Sequence, residues 1–132
     1  MEIYALDLKF EAGILQGPQA SNLIGKLPNK AATNFRYSGA SEFLLFSDYV
    51  YADGDLTAVK ENDEAWDSRG NTAYVYDSTY VRHWDTWVGP KKQSLFSVRL
   101  SLGAEQSWSL GGQFVNLLKG TNHVCQLLYR VL

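Results

Sequence analysis

The sequence predicts a mainly β chain, a partial β-propeller of about one and a half four-stranded antiparallel blades with a partly helical insertion. Three observations predict it. Hydrophobic residues alternate with polar ones along both ends of the 132 residues, the period of a half-buried strand. The two ends resemble each other: Ile3-Tyr-Ala-Leu-Asp-Leu matches Leu95-Phe-Ser-Val-Arg-Leu, and Asn22-Leu-Ile-Gly-Lys follows the first at the distance at which Asn116-Leu-Leu-Lys-Gly follows the second. Aromatic residues make up 14% of the chain, an enrichment that suits pleated surfaces. A repeated unit of four antiparallel strands is how a propeller blade is written. The rival reading of the likeness is two unrelated β-hairpins.

Each element follows in order. Ile3, Ala5, Leu6 and Leu8 mark a first strand, Ile14–Leu15 a short second one, and Asn22–Leu27 a third that closes at Pro28. Asn34–Ser38, a turn at Gly39–Ser41 and Glu42–Tyr51 read as a hairpin, its second strand apolar almost throughout, as when both faces are covered. From Asp53 to about Val88 the alternation fails, and Ala58, Val59 and Trp66 among charged neighbours fit one or two helical turns. The later part of that insertion, with Tyr74, Tyr76, Tyr80, Val81 and Trp84, fits either period. Alternation resumes at Ser94–Leu102, turns over 103–107 and continues through Trp108–Leu118. The partial propeller covers residues 1–123, and the ending 124–132 is atypical. One and a half blades leave apolar faces without neighbours, so the chain reads as an incomplete part.

Composition excludes several chemistries. The net charge is −2, and Lys91–Lys92 is the one basic pair, so neither nucleic acid nor membrane is an expected partner. One cysteine, Cys125, and two distant histidines, His83 and His123, make no metal cluster, and no metal or other cofactor is expected. No Gly-x-Ser-x-Gly elbow occurs, and no catalytic residue is assigned. The acids of Asp53–Glu64 fall at positions 1, 3, 9 and 12 of a calcium-type loop, but Ala58 occupies the turn position that needs glycine. No signal peptide is visible, and the residues are compatible with secretion and with the cytoplasm.

The densest cluster is Arg82-His-Trp-Asp-Thr-Trp-Val. Arranged as a helix, Arg82 and Asp85 share a face and pair while Trp84, Trp87 and Val88 pack inward. The same residues serve either as an ion pair over an aromatic cluster or as an aromatic-walled surface for peptide. A stand-alone module that binds peptide or carbohydrate through exposed Trp and Tyr is the alternative function.

YVRHWDTWVG, preceded by TAYVYDSTY and followed by PKKQSLFSV, resembles a segment of the fungal dipeptidyl-peptidase V-type enzymes of the prolyl oligopeptidase family, as does FLLFSDYVYADGDL upstream. The resemblance runs over about residues 3–123. It implies a parent serine peptidase that releases dipeptides from peptide N-termini, built from a propeller and an α/β-hydrolase domain that carries the triad. This chain would then be the non-catalytic propeller fragment that gates and positions peptide substrate. Its implied partners are the missing blades and the hydrolase domain. Relatives hold the substrate ammonium with carboxylates on a helical propeller insertion, which implies a substrate-binding role for Glu61, Asp63, Glu64, Arg82, Trp84 and Asp85, although the relatives' paired glutamates are not reproduced. After Gly120-Thr-Asn-His the sequence departs from the family.

Overall fold

A computed structural model describes residues 1–73, 82–83, 86–87, 89–103 and 107–121; side chains of residues 82–87 and of Gln19 are outside the description. Strand β1 (Glu2–Glu11) pairs antiparallel with β2 (Ile14–Lys26). Four further strands, β3 (Thr33–Ser38), β4 (Phe43–Val50), β7 (Lys92–Leu102) and β8 (Trp108–Asn116), form one antiparallel sheet in the order β3-β4-β7-β8. Between β4 and β7 lie helix α1 (Val59–Asp67) and two minimal strands, β5 (Arg82–His83) and β6 (Thr86–Trp87). A four-stranded antiparallel sheet thus follows a two-stranded one, an arrangement consistent with the partial, propeller-like fold that the repeat predicts.

One expectation differs in detail, and one that the sequence left open is resolved. Ile14–Leu15 and Asn22–Leu27 belong to one strand, because three register shifts let β2, 13 residues long, run beside β1, 10 residues long. Those bulges absorb Gly17 and Pro18, which in the sequence look like a strand break. Arg82 is not helical. Its backbone pairs with Trp87, and β-branched and aromatic neighbours favour extended chain there. Residues 74–81, Trp84, Asp85, Val88 and the ending 124–132 lie outside the described residues.

The core forms where β1–β2 lies against one face of the four-stranded sheet. Phe46 is at its centre, fully buried, with Phe35 and Phe96 stacked at 5.9 and 5.7 Å between ring centroids and Phe114 edge-on at 6.4 Å. Leu27, Ala32, Leu44, Val50, Val98, Leu56 and Val59 complete it, with Met1 and Ile3 packed against them. The last two buried residues come from the insertion, so its first half is part of the folded body. Gly25 of β2 meets Leu110 of β8 so closely that a Cβ on Gly25 would lie 2.5 Å from the Leu110 Cβ. No helix among the described residues is long and apolar enough to cross a membrane.

Candidate functional site

The insertion rises from one end of the sheet, where β4 finishes and β7 begins. Two polar brackets hold its base. In the first, Asp63 on α1 accepts hydrogen bonds from Lys91 Nζ at 2.8 and 3.1 Å and from the Tyr51 hydroxyl at 2.8 Å. Tyr51 follows β4 directly and Lys91 precedes β7, so one carboxylate ties both roots of the insertion to its helix. Lys91 holds the Asp63 carboxyl below its ordinary range, and the Tyr51 hydrogen bond acts in the same direction. Burial, then the bond to Asp63, pushes the Tyr51 phenol up to about 12.

Asn116 makes the second bracket. Its Oδ1 accepts from Ser94 Oγ at 2.7 Å and from Leu118 N at 3.0 Å, and its Nδ2 donates to the Gly54 carbonyl at 2.9 Å. Gly54 has φ of +68°, and a Cβ there would lie 3.0 Å from Asn116 Nδ2. Glycine is needed at this point for both reasons. Deeper, Asp48 is fully buried and accepts at Oδ1 from Asn29 Nδ2 and from its neighbour's amide, Tyr49 N, at 2.9 and 2.7 Å. Burial raises its pKa against the pull of those bonds.

The acidic loop that enters α1 is held by its own side chains. Asp53 accepts from Asp55 N and Asn62 Nδ2, and Asp55 accepts from the Thr57 amide and hydroxyl, at 2.7 to 3.0 Å. These short-range turns deliver the chain into α1, where Glu61 occupies the first turn and suits the positive end of the helix dipole. The spacing of α1 then divides the three acids that the resemblance singled out. Asp63 faces the body with buried Val59, while Glu61 and Glu64 project to solvent on the other side. Glu64 stands 3.7 Å from Lys60 in an exposed pair, and Glu61 is exposed. Trp66 receives the Arg69 guanidinium at 3.8 Å from its ring centroid.

Of the predicted residues, the helix therefore brings together Glu61, Asp63 and Glu64, with only the first and last turned outward. Arg82 is described by its backbone alone, and Trp84 and Asp85 are outside the described residues. Sequence reasoning missed Tyr51, Lys91 and Asn116. Each sits at the end of an alternating strand, where a polar residue looks like an ordinary boundary.

Comparison with known proteins adds a relationship. Dipeptidyl-peptidase 5 of Aspergillus fumigatus is 38% identical over 58 residues, which are 43% of this chain and 8% of that protein. The chain is a relative of fungal dipeptidyl-peptidase 5. The probable dipeptidyl-peptidase 5 of Trichophyton verrucosum is 36% identical over 58 residues, 44% of this chain and 8% of that protein. Dipeptidyl-peptidase 5 of Arthroderma otae is 30% identical over 97 residues, 72% of this chain and 12% of its own length. The match thus spans about 8 to 12% of the length of these dipeptidyl-peptidase 5 relatives. No protein-family model and no solved structure matches the chain.

Proposed function

We propose that this chain is a non-catalytic propeller portion of a serine-type dipeptidyl peptidase, whose role is to admit peptide and to present its amino end. One observation carries the reading: both outer sheet faces leave large apolar side chains exposed among the described residues. On β1–β2, Tyr4, Leu6, Leu8 and Phe10 share a face with Leu15 and Leu23, and Phe10 is 63% exposed. On the far side of the four-stranded sheet, Phe43, Tyr49 and Val115 are exposed, Tyr49 by 44% and Val115 by 43%, and they share that face with Leu45, Leu95, Arg99 and the buried Ser47 and Ser97. Monomeric soluble proteins rarely leave contiguous apolar faces in water, whereas stacked blades bury both faces of every inner sheet.

Within such an enzyme the insertion supplies the substrate contact. Glu61, outward and on a helix fixed by the Asp63 bracket, is the carboxylate best placed to receive a peptide ammonium, with Glu64 one turn on. A charge-assisted carboxylate–ammonium bond fixes register, so that cleavage falls a set number of residues from the amino end. Asp63 positions this helix.

A chimera tests the reading: the aligned segment of Aspergillus fumigatus dipeptidyl-peptidase 5 is replaced by this chain's residues. A soluble chimera that releases dipeptides is expected, and Glu61→Gln in it raises KM about tenfold with little change in kcat. An insoluble or inactive chimera contradicts the reading, and unchanged KM rules out Glu61.

A further inference from the structure

The β1–β2 hairpin is an arm. From Leu6 to Gln16 every residue is exposed, although this stretch carries Leu6, Leu8, Phe10, Ile14 and Leu15. Only the hairpin's base, through Ile3 and Gly25, lies against the core. The arm also has a long, regular edge, guarded by charge alone at Glu2, Asp7, Lys9 and Glu11. Strands β2, β3 and β8 carry backbone devices that discourage strand pairing. All three bulges of the hairpin fall in β2, which also contains Pro18 and Gly17 at φ +87°. Strand β3 has only 6 residues, a register shift and Asn34 at φ +56°. Strand β8 is bulged where Gly111 and Gly112 interrupt its pairing with β7. Strand β1 has 10 residues in regular succession, with neither proline nor bulge.

We propose that a second copy of this chain pairs with it along β1, antiparallel about a twofold axis at Leu8, joining two hairpins into one four-stranded sheet. The charge pattern selects that register. With Leu8 opposite Leu8, Leu6 lies opposite Phe10, and Asp7 of each copy lies opposite Lys9 of the other. Shifting by one pleat in either direction sets Asp7 against Asp7 or Lys9 against Lys9, and like charges directly opposite are unfavourable. Within one copy Lys9 reaches Glu11 at 2.6 Å, whereas Asp7 has no ion-pair partner among the described residues. The pairing supplies one. It also extends the apolar stripe of Leu6, Leu8 and Phe10 continuously across the twofold and satisfies the outward amides and carbonyls of β1, which no other strand pairs among the described residues. In a longer parent the same edge would instead take further strands of its own sheet, so the inference concerns this chain by itself and does not depend on the peptidase reading.

Sedimentation equilibrium of the 132-residue chain tests it. The expected species is a dimer, twice the 14.8 kDa chain mass. Lys9→Glu, which opposes two acids on both sides of the axis, raises the dimer dissociation constant about tenfold. Asp7→Lys combined with Lys9→Glu reverses both pairs and restores it to within about threefold, and Lys60→Glu on α1 leaves it unchanged. A monomer at every concentration, growth beyond the dimer, indifference to Lys9→Glu, or failure of the double substitution to restore association would each overturn the proposal.

Discussion

Asp63 illustrates how a residue type and its role part company. As one of several acids in an acidic insertion, it has the same claim to a substrate ammonium as Glu61 or Glu64. In the fold both its oxygens are taken by Lys91, 28 positions away in the chain, and one of them also by Tyr51. That partnership was not legible beforehand, because nothing in local spacing announces a contact across an insertion. The outward placement of Glu61 was half legible: the helical period separates it from Asp63, but which side faces the body depends on where Val59 packs. Titration follows from the geometry. The folded carboxyl of Asp63 is depressed, so its stabilisation is present above the ordinary carboxylate range and fades as pH falls through the folded value. Asp63→Asn should lower stability at pH 7 by up to about 1 kcal/mol, the pair being partly exposed, and the difference from the parent chain should close in acid. The Tyr51 phenol is raised to about 12, so its contribution is complete below pH 10 and is lost as pH rises toward that value. Urea midpoints of both chains and of Tyr51→Phe across pH check this. A pH-independent Asp63→Asn difference, or an alkaline loss unchanged by Tyr51→Phe, would contradict it.

At the scale of elements, alternation exposed β1, β3, β7 and β8 well because a strand's period of two repeats over enough residues to be unambiguous, and β4 showed as a short apolar run after a turn. It split β2, since Gly17 and Pro18 look like punctuation unless bulges are allowed for, and a bulge is defined by its partner strand. It identified the helical piece of the insertion from Val59 and Trp66, yet allowed a helix where β5 and β6 pair, because a pattern four residues long fits either period. The contact of β2 with β8 is the packing that the two hairpins share, and Gly25 sets its distance. Gly25→Ala should push the hairpin away from Leu110 and cost about 1–3 kcal/mol, as overpacking does. Gly112, with nothing within 4 Å of its virtual Cβ, should accept alanine at a fraction of that. Equal denaturation midpoints for the two variants would show that the hairpin does not pack on β8 as described.

For the whole molecule, what the chain lacks matters as much as what it contains. Among the described residues the well-buried layer lies between the base of β1–β2, Leu56 and Val59 of the insertion and one face of the four-stranded sheet, and large apolar side chains of the hairpin and of the sheet's far face stay exposed to water. The two-stranded sheet followed by a four-stranded one was legible from the repeat between the two ends, and the proposal that neighbours cover them rests on the apolar content of β4 and β7. The relationship to dipeptidyl-peptidase 5, over a small share of those proteins, fits a part whose faces are finished by other segments. Dye binding tests this most directly. If the two faces are open, the 132-residue chain should bind an anilinonaphthalene sulfonate dye strongly under native conditions, including as the β1-paired dimer. The same residues set within the full-length relative should lose most of that fluorescence. A native chain that leaves the dye dark and unfolds in one cooperative step as a monomer would contradict the account.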